Sequence, residues 1–328
     1  MQKKIIVLGA GGFIGSHMST RLKNEGCWIR GIDLKYPEFS ETACDEFIIG
    51  DLRDPKTVEV VIPEDIDELY DLASDMGGAE YIFSGLNDAD VMTNSSLIHL
   101  NVARESVKKK VKKIFFSSSA CAYPEYNQLE PDNPKCSEES AYPAQCDSEY
   151  GWEKLFSERL YLAYNRNYNL DVRICRYHNI FGELSCFNNG KEKAPAAICR
   201  KVAEAKDGDY IEVWSSGKGD QTRSFLYIDE CLEATLRLMR NDSRFLGPVN
   251  IGSEEMISIN DFTKMIIDIS GKNLKIKNIP GPEGVRGRNS DNKLYKEKMG
   301  WVVSRPLREG MEKLYKWIED QVNGKTIK

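Results

Sequence analysis

No Cys-x-x-Cys spacing occurs anywhere in the chain, although it carries nine cysteines. An odd count without paired spacing argues against a disulfide framework and for the reduced thiols of a cytoplasmic protein. Histidine is scarce. His17, His99 and His178 are the only three, and none stands at a metal-ligand spacing from another, so no metal centre is expected. Positive charge is not in excess either. With 45 Lys and Arg against 51 Asp and Glu, the formal net charge is -6, which leaves no basic footprint for nucleic acid. The lysines that do cluster, Lys108-Lys109-Lys110 and Lys112-Lys113, read as the solvated end of a helix. Long hydrophobic runs are missing too. The apolar run Ile5–Leu8 breaks at Gly9, too soon for a signal-peptide core, and no window approaches a membrane span. No internal repeat or low-complexity tract is present.

The sequence does hold enough apolar residues, 41% of 328, for a large core. In the first half, strand-like and helix-like segments alternate. Strands are expected at Lys4–Leu8, Trp28–Ile32, Glu46–Ile49, Glu68–Leu72, Lys113–Phe116 and Asp171–Arg176, and helices at Ile14–Glu25, Met92–Lys109 and Glu149–Tyr168. Repeated β-α-β units with apolar, β-branched strands predict an α/β fold with a Rossmann-like, doubly wound parallel sheet. After Tyr177 the pattern loosens. A helix (Ala196–Ala205), a strand (Tyr210–Trp214), a turn-rich patch (Ser215–Asp220) and a helical stretch (Leu226–Met239, preceded by a short strand) are expected there. A further strand (Val249–Ile251), helices at Ile259–Ile269 and Leu307–Val322, and a Gly/Pro-rich link (Pro280–Gly287) complete the chain. The expected division is a first domain over 1–177 with a return segment near 225–250. A smaller C-terminal α/β substrate-binding lobe takes 178–224 and 251–328.

The first strand closes on Gly9-Ala10-Gly11-Gly12-Phe13-Ile14-Gly15, which also opens the first helix. Glycines there permit a tight turn and let backbone approach a pyrophosphate, while the helix N-terminus supplies N–H groups and partial positive charge. The next strand runs into Asp33, about 20 residues on, where a carboxylate accepts hydrogen bonds from ribose hydroxyls and repels a 2′-phosphate. The cofactor expected is therefore NAD rather than NADP, with Asp51 at the end of the third strand a further candidate, toward adenine. Tyr150 and Lys154 stand four apart on a helix, so they share one face. An ammonium beside a phenol lowers its pKa, and such a phenol can exchange a proton with an alcohol while hydride moves to the cofactor.

The glycine motif, the serine-rich strand end Ser117-Ser118-Ser119 and the Tyr150/Lys154 pair together resemble the extended short-chain dehydrogenase/reductase family of nucleotide-sugar enzymes. The resemblance covers nearly the whole chain. It extends through Asp75-Met76-Gly77-Gly78, Arg176–Ile180, Glu192–Ala197, Gln221–Phe225 and Gly281–Asn292, long runs that are similar to members inverting a GDP-sugar at carbons 3 and 5. It implies a catalytic Ser119–Tyr150–Lys154 triad that oxidises carbon 4 with NAD and later reduces it again. A ketone at carbon 4 makes the hydrogens on carbons 3 and 5 acidic, so two further groups must exchange protons on opposite faces of the ring. Related dehydratases place an Asp-Glu pair just past the serine, whereas this chain has Ala120-Cys121. The resemblance assigns the acid/base pair to Cys121 and Lys193. It also implies substrate contacts from Gly77, Asn179, Glu192, Ala194, Lys201, Gln221 and Arg223, and from Arg286 or Arg288 at the diphosphate, Arg286 being marginally favoured. A homodimer joined through helices that include the Tyr150 helix is implied as well. Other readings stay open at this point: another GDP-sugar (hexose or heptose) epimerase, a 4-epimerase or other nucleotide-sugar oxidoreductase using the triad alone, and a non-catalytic NAD-binding regulator.

Overall fold

The computed structural model describes residues 2–132, 136–215, 218–281 and 284–324. Ser216 and Gly217 of the turn-rich patch, Pro282 and Glu283 of the Gly281–Asn292 run, and 325–328 of the expected C-terminal lobe lie outside the described residues.

Six strands, β1 (Lys4–Leu8), β2 (Trp28–Asp33), β3 (Glu46–Ile49), β4 (Glu68–Asp71), β5 (Lys113–Ser119) and β6 (Val172–Tyr177), form a parallel sheet with Val249–Ile251 as a seventh. The order is Val249–Ile251, β6, β5, β4, β1, β2, β3. Ile5 to Leu8, Ile114 to Phe116 and Ile174 are fully buried, as they must be in a sheet with helices on both faces. The strand order reverses at β1, which pairs with β2 on one side and β4 on the other. A ligand crevice opens at the carboxyl ends of the strands at such a switch point. Gly9, Leu72 and Ser119 all stand at that end.

Two local differences from the expected elements matter for the site. β5 does not stop at Phe116 but runs on to Ser119, because Ser117, Ser118 and Ser119 pair with Cys175, Arg176 and Tyr177 of β6. Serine is a poor strand former in isolation, and here the neighbouring strand decides. The helical stretch begins at Ile228, since Leu226–Tyr227 pairs with Ile180–Phe181. Helix Ile228–Met239 then leads back to the sheet, where Val249 and Ile251 align with Cys175 and Tyr177.

The long helix Glu149–Tyr168 starts at Ser148, whose hydroxyl accepts the Gly151 N–H at 3.3 Å. It is tied to the sheet by Glu158, which accepts from Ser118 at 2.6 Å and from Arg176 through Nε at 2.8 Å and Nη2 at 2.7 Å. All three side chains are buried. Such a buried pair adds little net stability, but a helix slipped by one residue would strand two charges, so the contact fixes the helix position. Beyond the sheet, Thr222–Ser224 pairs with Met256–Ser258 and with Gly287–Arg288, which sets Arg288 opposite Arg223. Among the described residues no helix is long and apolar enough to cross a membrane.

Candidate active site

The turn after β1 is built for close approach. A side chain at Gly11 would put its Cβ 2.1 Å from the Lys35 carbonyl oxygen, and one at Gly15 would meet the Gly9 carbonyl at 2.0 Å. Helix Phe13–Asn24 starts at Gly12, which offers no side-chain cap, so its first N–H groups are left for a ligand. Asp33 closes the cradle, accepting from the N–H groups of Gly11 at 3.0 Å and Leu34 at 2.7 Å. Burial raises its pKa, and the N–H groups of Leu34, Lys35 and Gly11 pull the other way. The neighbouring cations are already engaged, Arg30 by Glu46 and Lys35 by Glu38, so nothing beside Asp33 is set up for a 2′-phosphate. The donor set fits NAD. Asp51, expected near adenine, is held by a bidentate pair with Arg53, and that hydrogen bonding lowers its pKa.

Ser119 ends β5 and caps a single turn over Ala120–Ala122, its oxygen accepting the Cys121 N–H at 3.2 Å. Its hydroxyl also lies within hydrogen-bond reach of Tyr150 and of the Cys121 thiol, and lowers the pKa of each. The Tyr150 helix packs directly on this turn, because a side chain at Gly151 would put its Cβ 2.1 Å from the Cys121 carbonyl oxygen. Tyr-Gly rather than any other pair is therefore what lets the phenol approach the serine and the thiol. Lys154 Nζ lies 5.5 Å from the centroid of the Tyr150 ring. Tyr150 has its pKa raised, first by burial, then by Cys121 and Glu153, with a Ser119 hydrogen bond opposing them. Burial thus outweighs the lowering that the Tyr/Lys spacing alone suggests.

These residues open on a cavity of about 450 Å³, within the range of small-ligand sites. Ser119, Cys121, Tyr150 and Lys154 line one wall. Gly77, Asn179, Glu192, Lys193, Ala194, Lys201, Gln221, Arg223 and Arg288 line the rest, so these expected substrate residues are brought together. Arg286 is not among the lining residues and pairs with Asp220 at 3.1 Å. Arg288, one of the two arginines expected at the diphosphate, instead points at the thiol. Its Nη1 donates to Cys121 Sγ at 3.3 Å, its Nε to Gln128 at 2.6 Å, and its Nη2 to Asp147. It is buried, and although burial works against its charge, Asp147 and Cys121 raise its pKa further.

Cys121 is caught between opposing influences. Burial and then Asp147 raise the thiol pKa, while Arg288 and Ser119 lower it. Lys193, also a lining residue of the cavity, stands at the N-cap position of helix Ala194–Glu204, where Pro195 helps start the helix. Its side chain is exposed, but into the cleft, and enclosure there lowers its ammonium pKa, while Cys121 and Cys231 act to raise it. Cys121 and Lys193 are close enough to feel one another's charge.

Several side chains around the site carry no sequence signal of their own. Gln128 and Asp147 position Arg288 from loops on either side of it. His99 and Glu153 flank Lys154 with Asp71 behind His99, and only the burial of every fourth residue on the Asp88–Lys108 helix marks His99 as inward-facing. His178, next to Asn179, is a packing residue. It is buried, hydrogen-bonds Asn250 at 2.8 Å, and burial pushes its pKa down to about 3.

Comparisons with known proteins place this geometry in context. A GDP-mannose 3,5-epimerase of Arabidopsis thaliana is 44% identical over 327 residues, which is 99% of this chain and 84% of that one. Among solved structures, a UDP-glucose 4-epimerase of Thermotoga maritima with UDP-glucose superposes with a TM-score of 0.84 at 23% identity, covering 97% of this chain and 99% of its own. A UDP-glucuronic acid 4-epimerase of Bacillus cereus in complex with UDP-glucuronic acid and NAD gives 0.79 at 25% identity, with coverage of 97% and 99%. The family model for NAD dependent epimerases and dehydratases matches residues 5–252, from the first buried strand through the returning strand of the sheet. Its span takes in the glycine cradle, the Tyr150/Lys154 helix and Cys121 alike, and the chain belongs to the NAD dependent epimerase/dehydratase family.

Proposed function

We propose that this protein epimerises GDP-mannose at carbons 3 and 5 to GDP-L-galactose through a transient 4-keto sugar. The observation that carries the reading is the shared cavity. Cys121 and Lys193 face into it from different elements, immediately beyond Ser119, Tyr150 and Lys154. The 44% identity to the GDP-mannose 3,5-epimerase supports the choice of sugar and nucleotide. When bound, NAD would supply the hydride acceptor, and later the donor, for carbon 4.

Tyr150, as phenolate, takes the proton of the 4-hydroxyl, and Ser119 donates a hydrogen bond to that oxygen. Lys154 holds a positive charge beneath the phenol ring. Once carbon 4 is a ketone, the Cys121 thiolate removes a proton from the adjacent carbon, and the ketone oxygen takes up the enolate charge. The Lys193 ammonium returns a proton on the other face, which inverts the centre. Arg288 lowers the thiol pKa and so favours the thiolate, while Asp147 and Gln128 keep the guanidinium aimed at sulfur rather than at a diphosphate. Lys201, Gln221 and Arg223 take the nucleotide end, where Lys201 lies near Trp214. Residues 1–177, with the return near 225–250, hold NAD, and 178–224 with 251–328 form the nucleotide-sugar lobe. The nine free cysteines suit a reducing, cytoplasmic setting.

Wild-type enzyme incubated with GDP-mannose in heavy water, without added reductant, is expected to incorporate deuterium at carbons 3 and 5. NMR of the recovered sugar checks this, and label at neither carbon would sink the assignment.

The assembly we propose is a homodimer through the paired helices Asp88–Lys108 and Glu149–Tyr168. Leu97, Trp152 and Phe156 stay 40%, 39% and 45% exposed there, large apolar groups on one joint face. Phe156→Glu is expected to halve the mass seen by sedimentation, and a wild-type protein already monomeric at micromolar concentration would refute the interface.

A further inference from the structure

Lys154 is 1% exposed and is surrounded by charge that the reaction as described does not use. His99, from helix Asp88–Lys108, brings its Nε2 to 3.3 Å from Lys154 Nζ. The other ring nitrogen, Nδ1, is 2.8 Å from Asp71 Oδ2 at the end of β4. Asp71 Oδ2 also accepts from Tyr161 at 2.6 Å. Glu153 completes the group, 3.5 Å from His99 Nε2 and 3.7 Å from Lys154 Nζ, with Ser157 donating to it at 2.7 Å. Phe116 packs edge-on against the imidazole and under the ammonium, and excludes water from the gap. His99, Asp71 and Glu153 are all fully buried. Asp71 Oδ1 and Glu153 Oε2 have no hydrogen-bond partner among the described residues.

The donor inventory decides the arrangement. A carboxylate only accepts, so the proton between Asp71 and His99 sits on Nδ1. An ammonium only donates, so across the shorter contact, 3.3 Å to Lys154 against 3.5 Å to Glu153 Oε1, Nε2 offers its lone pair, or else carries the proton itself and donates to a neutral amine. Either way a single proton occupies the 3.3 Å gap between Nε2 and Nζ. Asp71 therefore fixes the tautomer that makes His99 a partner for Lys154, as a carboxylate behind an imidazole does elsewhere.

We propose that Asp71 and His99 are positioning residues of the redox step, Asp71 holding His99 as the Nδ1–H tautomer so that Nε2 anchors Lys154 and shares its proton. While Tyr150 is a phenolate, that proton stays on Lys154, facing the phenol. Once Tyr150 has taken the hydroxyl proton, the charge relaxes through Nε2 toward Asp71 and Glu153. No proton leaves the group, and the only movement is between Nζ and Nε2. The inference rests on carbon 4 oxidation by Tyr150 and Lys154, so its first test uses no substrate.

With only three histidines in the chain, ¹⁵N-histidine NMR resolves each imidazole. His99 is expected as the Nδ1–H tautomer in wild type, with an Nε2 shift that moves in Lys154→Met. Asp71→Asn places an amide donor against Nδ1, and is expected to transfer the proton to Nε2, donor against donor with Lys154. An Nε2–H tautomer in wild type, or an Nε2 shift indifferent to Lys154→Met, overturns the proposal whatever the substrate proves to be. In turnover, Asp71→Asn is expected to lower kcat at least tenfold with KM nearly unchanged, and to move the acid limb of the pH profile. His99→Gln, whose carbonyl still accepts from Lys154, is expected to keep kcat within threefold of wild type, where His99→Leu loses at least tenfold. Adding Asp71→Asn to His99→Gln is expected to cost less than twofold more. An equal Asp71→Asn loss in both backgrounds would show a merely structural role and refute the coupling. Urea midpoints of each variant separate loss of folding from loss of positioning.

Discussion

Cys121→Ala is expected to reduce its bound NAD on GDP-mannose while forming no inverted sugar. In the proposed mechanism the oxidation at carbon 4 needs Ser119, Tyr150 and Lys154, all of which the variant retains, although the thiol is one of the groups that raise the Tyr150 pKa. Deprotonation beside the ketone is the step that the same mechanism assigns to the thiol. General acid–base groups contribute roughly 10²–10⁴-fold, so product formation and deuterium wash-in should fall by about that factor. A transient at 340 nm that persists in the variant, together with unlabelled recovered sugar, is the signature. Normal turnover would reduce the thiol to a core filler like Cys175 or Cys231, both fully buried. The pH dependence of wash-in follows from the directions of the two shifts. Burial raises the Cys121 pKa, so the thiolate fraction keeps growing with pH above the ordinary thiol range. Burial in the cleft lowers the Lys193 pKa, so the ammonium fraction begins to fall earlier than for a free lysine. The required thiolate–ammonium pair therefore gives a narrow bell on the alkaline side. Lys193→Met should remove its descending limb.

How far the sequence alone reaches is uneven, and the reasons are physical. The glycine turn is readable because close backbone approach leaves only one residue type, as the 2.1 Å clash at Gly11 shows. Tyr150 and Lys154 are readable because helical spacing is local. Ser119 at a strand end is readable in outline, but the extra strand residues Ser117–Ser119 are not, since their pairing with β6 is non-local. Arg286 and Arg288 show the limit most clearly. Arg286 precedes the short strand Gly287–Arg288 and pairs with Asp220, while Arg288 lies within it, and the loops carrying Gln128 and Asp147 turn Arg288 to the thiol. Asp71 and His99 are 28 residues apart, and nothing short of the β4-to-helix packing brings them together. Chemistry tied to backbone geometry can be read along the chain, whereas electrostatic partners are assigned by tertiary contact.

Tyr150→Phe is expected to silence both halves of the reaction, and the contrast with Cys121→Ala gives the order of events. Without the phenol oxygen the 4-hydroxyl has no proton acceptor, so hydride transfer should slow by about 10²–10⁴-fold. Carbons 3 and 5 then never become acidic, because the ketone that would stabilise their carbanions is absent. The NAD transient and the deuterium wash-in should therefore disappear together, although Cys121 and Lys193 are untouched. The ring itself is retained, so Ile82, Val91 and Cys121 keep their packing against it and folding should be preserved. If Tyr150→Phe still exchanged carbons 3 and 5 at the wild-type rate, proton removal would precede oxidation, and the thiol would have to act on an unactivated sugar. An ordinary C–H lies far outside the reach of a thiolate, even one with a raised pKa. In the proposed order oxidation comes first, and the helix that carries Tyr150 and Lys154 packs, through Gly151, directly on the turn that carries Cys121.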